Sequence, residues 1–278
     1  MPISEGSLYN FNLQAYEHLA EFEAISKEKR LVSPILHADE TGININGKGH
    51  WLHSASNAQW THFFPHTRRG TVAMNAINIL PLYHGTLCHD HWKPYYKYDC
   101  THSLCNAHHL RELNRAWEQD KQAWAHEMKQ LLENMSSAVN DAGGVLLDKQ
   151  AEQWKRKYRK LLEKAQTECP PPDKPEKAKR GRIKRSKARN LLERLIDYEE
   201  DVLRFMTDAY VPFTNNAAEN SIRMTKVHQK ISGCFRSMEG AEMFCRIRGY
   251  LSTCRKQGIS ATQAMRLAFE EKLPEFSL

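Results

Sequence analysis

The chain has 278 residues, with 40 Lys and Arg against 33 Asp and Glu, a formal charge of +7 and a mean hydropathy of −0.67. Collagen-like, wholly disordered and membrane-spanning classes are excluded, since no apolar run nears the roughly 20 residues that a membrane span needs. Glu5, Glu17, Glu21 and Glu23 leave no room for the apolar stretch of a secretory leader, and seven irregularly spaced cysteines read as reduced thiols in a cytoplasm.

Leu8, Phe11, Ala15, Leu19 and Phe22 repeat at helical spacing, which predicts one helix over residues 8–30. Val32 to Ile45 reads as a strand, and Asn46-Gly47 is a hairpin signal. His50–Ala55 and Thr61–His66 read as the next two strands, Gly70–Leu80 as a helix and Gly85–His89 as a short strand. A short aromatic helix at Trp92–Tyr98 and a fifth strand at Thr101–Cys105 complete an α/β pattern with a mixed sheet.

From Leu110 to Ala209 the strand signal stops, and apolar residues recur at helical spacing. Trp117, Trp124 and Trp154 lie on these helical patterns, where core packing is the expected role. Pro170, Pro171 and Pro172 break the helical run. Lys174 to Arg189 then carries nine basic residues and one acid, so the rest of the chain is close to neutral. Two readings of this run stand: a solvated linker, or a segment contacting nucleic-acid phosphates, with Lys184 and Arg185 at its centre. Pro212 to the end reads as helix, loop and two helices, with Thr214, Asn215 and Asn216 as capping residues.

Three carboxylates stand out. Asp39 lies in the first strand, Asp90 ends the fourth, and Glu219 opens the helix after Asn216. Carboxylates that converge repel one another, and hard divalent cations relieve that. Glu219, Arg223, Lys226 and Lys230 are spaced by 4, 3 and 4 and so share a helical face. That face reads either as a solvated salt-bridged surface or as a carboxylate at a metal followed by cations along a nucleic-acid backbone. Cys105 and His108 carry a C-x-x-H spacing for which packing, structural zinc and DNA contact are the readings.

His37-Ala38-Asp39-Glu40-Thr41-Gly42 resembles the first-aspartate motif of transposases of the insertion sequence 66 family. Thr214-Asn215-Asn216-Ala217-Ala218-Glu219-Asn220-Ser221-Ile222-Arg223 resembles that family's glutamate motif. Lys230-Ile231-Ser232-Gly233-Cys234-Phe235-Arg236-Ser237 resembles the stretch that follows it. The resemblance implies a DDE-superfamily catalytic region: a ribonuclease-H-like mixed five-stranded sheet with a long helical insertion between the second aspartate and the glutamate. Asp39, Asp90 and Glu219 are then the catalytic and metal-binding triad for two Mg²⁺ or Mn²⁺ ions. Arg223, Lys226, Lys230 and Arg236 join Lys184 and Arg185 as DNA contacts.

The implied boundaries are a helical lead-in at 1–30, a catalytic core at 31–109 and 210–250, an insertion at 110–209 with a basic linker at 169–189, and a tail at 251–278. The implied partners are element-end and target DNA, further copies of the chain in a synaptic complex, and accessory proteins of the same element. The implied location is a bacterial cytoplasm, at the nucleoid and away from membranes. His91 stands where many members carry glycine, while Trp92 and Tyr95 are retained. Nothing before Ile3 corresponds to the family's N-terminal DNA- and zinc-binding regions. The chain therefore reads as the catalytic part of a longer transposase, or as a truncated DNA-binding remnant that regulates an intact one.

Overall fold

The computed structural model describes residues 3–172 and 185–276; the side chains of 217–220, 228 and 232 lie outside the described set. Lys184 and most of the basic run therefore fall outside the described residues.

In chain order, α1 (Glu5–His18) and α2 (Ala20–Leu31) lead into β1 (Ile35–Ile45), β2 (Lys48–Ser56) and β3 (Thr61–His66). α3 (Thr71–Ile77) and a 3-10 turn at Leu80–Leu82 precede β4 (Thr86–His89). A second 3-10 turn, Lys93–Lys97, leads to β5 (Thr101–Leu104). Then come α4 (Asn106–Glu118), α5 (Ala123–Asp141), α6 (Asp148–Glu168), α7 (Lys187–Asp197) and α8 (Glu199–Leu203). α9 (Asn216–Ser232), α10 (Met238–Lys256) and α11 (Ala261–Phe269) follow. Two compact units result: Met1–His102 with Asn216–Leu278, and Ser103–Asn215.

The five-stranded sheet has the order β3-β2-β1-β4-β5 and is mixed. β1, β2 and β3 pair antiparallel, whereas β1 and β4 run parallel. Asn46 (φ +48°) and Gly47 (φ +78°) both take positive φ, as the two-residue turn between β1 and β2 demands. Alternation along β1 separates two cores. Leu36 and Ala38 pack with Met74, Ile79, Tyr83, Leu87 and Tyr95 on one face. Ile43 and Ile45 pack with Leu52, Phe63, Ile222, Phe235 and Cys245 on the other, beneath α9 and α10.

The first strand begins at Ile35, three residues later than the sequence pattern suggests, because Val32 caps α2 and is 80% exposed. The expected single N-terminal helix is two, broken at Leu19. Of its apolar stripe, Ala15, Leu19 and Phe22 are buried with Trp60 and Tyr250, while Leu8 and Phe11 stay half exposed. α10 comes unusually close to β3. A Cβ on Gly249 would stand 3.1 Å from the Thr61 carbonyl oxygen, and Thr61 N–H donates to Thr253 Oγ1 at 3.1 Å.

The second unit is helical. Its interior is built from Leu113 and Ala116 of α4, Trp124, Met128 and Leu132 of α5, Tyr158 and Leu162 of α6, and Leu191, Leu192 and Leu195 of α7. Core packing describes only one of the three tryptophans expected there. Trp124 is fully buried, but Trp117 is 41% exposed and pairs with the His126 ring, and Trp154 is half-buried under Lys157. The basic run is also divided: α7 starts at Lys187 with Ser186 as its cap. Arg189 is buried, donating to Cys169 O at 2.8 Å and to Glu193, so it is a structural cation rather than part of a linker. Among the described residues, no helix is long and apolar enough to cross a membrane.

Gly249→Val inserts side-chain volume where helix and strand backbones touch, and is expected to lower stability by about 1–3 kcal/mol. The urea midpoint of the full chain checks this; an unchanged midpoint contradicts the close α10–β3 approach.

Candidate functional site

Parallel pairing of β1 with β4 aligns Ile35 with Thr86, Leu36 with Leu87 and His37 with Cys88. The offset is 88 − 37 = 51, and 90 − 39 is also 51. Asp90 follows the last residue of β4, and the same register carried two residues further would bring it level with Asp39, adjoining strands being about 4.8 Å apart. Asp39 shares its sheet face with Ile43 and Ile45, the face that α9 covers. Both aspartates are half-buried.

The turn after Asp90 has its own logic. Asp90 Oδ1 accepts the Trp92 N–H at 3.0 Å, closing a side-chain turn, and His91 between them sits at φ +71°. Positive φ is the conformation that glycine adopts at least cost, and here histidine holds it. His91 N–H donates to His89 Nδ1 at 3.1 Å, so His89 carries its proton on Nε2 and directs it at His102 Nδ1, also 3.1 Å away. Burial, with the His102 and His91 rings nearby, holds the His89 pKa well below its usual range. This buried imidazole is therefore neutral next to Asp90.

α9 is anchored to β1 at several points. Phe235, just beyond α9, exchanges backbone hydrogen bonds with the end of β1: Phe235 N–H to Asn44 O at 3.0 Å and Asn46 N–H to Phe235 O at 2.8 Å. Lys226 Nζ donates to the Gly42 carbonyl oxygen. From Lys226 back to residue 219 is about 10 Å of helix, and from Gly42 back to Asp39 is about 10 Å of strand. The first turn of α9, which carries Glu219, is thereby brought toward the level of Asp39. The Glu219 side chain lies outside the described residues.

The remaining sequence-predicted contacts separate. Arg223 and Lys230 are exposed along α9. Arg236 is 91% exposed on the α9–α10 connection, 3.8 Å from Glu5. Arg185 belongs to the second unit and pairs with Glu193. Cys105, also in that unit, is buried at the start of α4, where its sulfur accepts the Asn215 N–H at 3.1 Å. Asn106 N–H meets Phe213 O at 3.1 Å, so the cysteine helps close the two ends of the helical unit onto each other. His108 sits one turn into α4, half-buried. Among the described residues, no group of three or more His, Cys, Asp or Glu is gathered as a metal site, a statement that leaves out the Glu219 side chain.

Sequence reasoning passed over Glu40, although it stands inside the first-aspartate motif. Strand alternation turns it to the face opposite Asp39, where its side chain is 1% exposed. Tyr95 donates its hydroxyl to Glu40 Oε2 at 2.6 Å, and Arg69 Nε donates to Oε1 at 3.0 Å. The Arg69 guanidinium in turn lies 4.1 Å over the Trp92 ring and 4.6 Å over Trp51. Burial pushes the Glu40 carboxyl above its usual range, against the lowering pull of its hydrogen bonds to Tyr95 and Arg69. Burial also raises Tyr95 well above its usual value, helped by the charges of Glu40, Asp90 and Asp39. Tyr95 thus lies within the field of all three carboxylates, and Glu40 clamps the segment that follows Asp90 back onto β1. The one signal available in the sequence was a carboxylate at a position whose strand neighbours Leu36 and Ala38 belong to a core.

Tyr95→Phe removes a donor from a buried carboxylate and is expected to lower stability by about 1–3 kcal/mol. Arg69→Ala, which removes the counter-charge and the indole stacking, is expected to lower it at least as much. Urea midpoints at neutral pH check both; unchanged midpoints contradict the clamp.

Asp39 and Asp90 are half-buried carboxylates, hard oxygen donors of the kind that Mg²⁺ or Mn²⁺ selects. No curated protein matches the chain. The model of one family, described as Transposase IS66 family, matches residues 1–243. That match takes in the Asp39 and Asp90 strands, the helical unit and α9, and on its strength the chain belongs to the IS66 family of transposases.

Proposed function

We propose that the chain carries out metal-dependent DNA strand cleavage and strand transfer in the movement of an insertion sequence. The observation that supports this reading is the parallel register of β1 and β4, which, carried two residues past its last pair, would bring Asp39 level with Asp90. The strand order, three antiparallel strands followed by a parallel β4 and then β5, supports a ribonuclease-H-like sheet. The helical unit falls in the chain between Asp90 and Glu219, as the insertion of such a transposase does.

In this reading Asp39, Asp90 and Glu219 hold two divalent ions. When bound, Mg²⁺ or Mn²⁺ supplies charge neutralisation and Lewis acidity at a phosphodiester. The reaction is hydrolysis at the element's ends, which frees a 3′-hydroxyl, followed by attack of that hydroxyl on a target phosphodiester. The side chains of the protein position the DNA for both steps. Arg223 and Lys230 are exposed on α9, one and three turns beyond Glu219, and meet backbone phosphates there. Lys226, held by the Gly42 carbonyl, fixes the helix to β1 and retains positive charge at the same face. His89, kept neutral, leaves the negative field of the aspartates undiluted. Element ends, target DNA, further copies of the chain and accessory proteins of the element are the partners, and the setting is the bacterial cytoplasm.

Asp39→Asn, Asp90→Asn and Glu219→Gln are each expected to cut Mg²⁺-dependent nicking of DNA carrying the element's ends by about a thousandfold or more, equivalent to several kcal/mol of lost stabilisation. Binding of the same DNA by gel shift is expected to persist. A variant that still nicks at the parent rate removes its residue from the site.

A further inference from the structure

A cavity of about 450 Å³ lies between α1, the α9–α10 connection and α10, wholly within the first unit. That volume falls in the range of organic-ligand pockets, about 300–1,000 Å³. Tyr9 and Asn12 are one turn apart on α1, and Gly240, Phe244 and Ile247 recur at helical spacing on α10, so each helix turns one face to the cavity. Phe235 and Arg236 reach it from the connection.

Among the described residues that line it there are two arginines and no carboxylate. Arg236 is exposed and meets Glu5 at 3.8 Å, a solvent-screened pair that is released at little cost. Arg248 is half-buried on α10, and burial with the charge of Arg255 lowers its pKa. No ion pair of Arg248 occurs among the described residues. The charge of Glu239 bears on the Tyr9 hydroxyl, but Glu239 does not line the cavity. Two guanidiniums therefore stand in one wall without an acid among them.

The rest of the wall is aromatic and apolar. The Tyr9 ring is 45% exposed, and half-buried Phe244 packs on buried Phe235 with ring centroids 5.3 Å apart. Asn12 spends its amide N–H on the Leu8 carbonyl, which leaves its amide oxygen as an acceptor. These groups answer the parts of a nucleotide: guanidinium for phosphate, ring for base face, amide oxygen for an N–H on the base edge. A base inside a duplex has both faces stacked, so only an unpaired one fits such a wall. Phe235 is bonded to Asn44 at the end of β1, and from Asn44 back to Asp39 is about 17 Å of strand, a few nucleotides' length.

We propose that this cavity holds one unpaired nucleotide of a DNA strand, its phosphate on Arg236 and Arg248 and its base against Tyr9 and Phe244. The inference rests on the reading of the chain as acting on DNA, and adds to it a strand-holding site that needs no metal.

The test uses the full chain without divalent metal at fixed ionic strength, and follows the fluorescence anisotropy of a short labelled thymidine strand and of an abasic strand of equal length. Both carry the same phosphates, so a difference between them reports contact with the bases. The parent is expected to bind the thymidine strand about tenfold more tightly than the abasic one, and Tyr9→Ala to lose most of that preference. Arg236→Gln, at an exposed position, is expected to weaken binding of both strands several-fold. Irradiation of the parent with a thiothymidine strand, which needs no variant, is expected to place adducts at Tyr9 or within Phe235–Phe244. Equal affinity of the parent for the two strands, or adducts confined to other segments, overturns the proposal. Asp39→Asn is expected to keep this binding while losing nicking. Adducts that miss the cavity in a chain that still nicks sink this inference alone, whereas adducts in the cavity of a chain that never nicks uphold it and contradict the cleavage reading.

Discussion

The parallel ladder between β1 and β4 is the constraint on which the site rests. Its register is fixed by only three residue pairs, but it is locked by burial, because Leu36 and Leu87 must face the same core. A slip by one residue would turn every β4 side chain to the opposite face. Leu87 would then leave its core, and Asp90 would leave the face of Asp39. Hydrophobic packing thus fixes the register on which the proposed proximity of the two aspartates depends.

Like charges held together need compensation, and the fold divides that work between two sides of one strand. On one side the aspartates are half-buried, and in the proposed reading they take a hard cation. On the closed side, Glu40 gathers Tyr95 and Arg69, and Arg69 carries Trp51 and Trp92 with it. The segment that positions Asp90 is therefore held from beneath by a buried hydrogen-bonded carboxylate and from within by the Asp90–Trp92 turn. Adjacent residues of one strand serve opposite purposes because a pleated strand sends them to opposite faces.

Much of this was legible in the sequence, for physical reasons. The strands announced themselves by alternation and by Asn46-Gly47, whose backbone preference selects a two-residue turn. The helical texture between the second aspartate and the glutamate was equally plain. What escaped was decided by tertiary contact. The 8–30 stripe continues unbroken through Leu19, yet the helix breaks there and leaves Leu8 and Phe11 half exposed. Trp117 and Trp124 sit on similar patterns, and only the packing of α5 decides that Trp124 alone is enclosed. Arg189 looks like one more cation in a basic run until the Cys169 carbonyl and Glu193 surround it. Glu40 and Arg69 are 29 positions apart, and a bond at that distance leaves no local trace.

The proposed convergence of residues 39, 90 and 219 on one metal can be tested directly. Fe²⁺ substituted for Mg²⁺, with ascorbate and peroxide, generates hydroxyl radicals that cut the backbone next to the bound ion. Cuts at three places are expected together: in β1 near Asp39, after β4 near Asp90, and in the first turn of α9, all suppressed by excess Mg²⁺. Cuts confined to one of these segments, or scattered elsewhere and insensitive to Mg²⁺, would contradict a shared site.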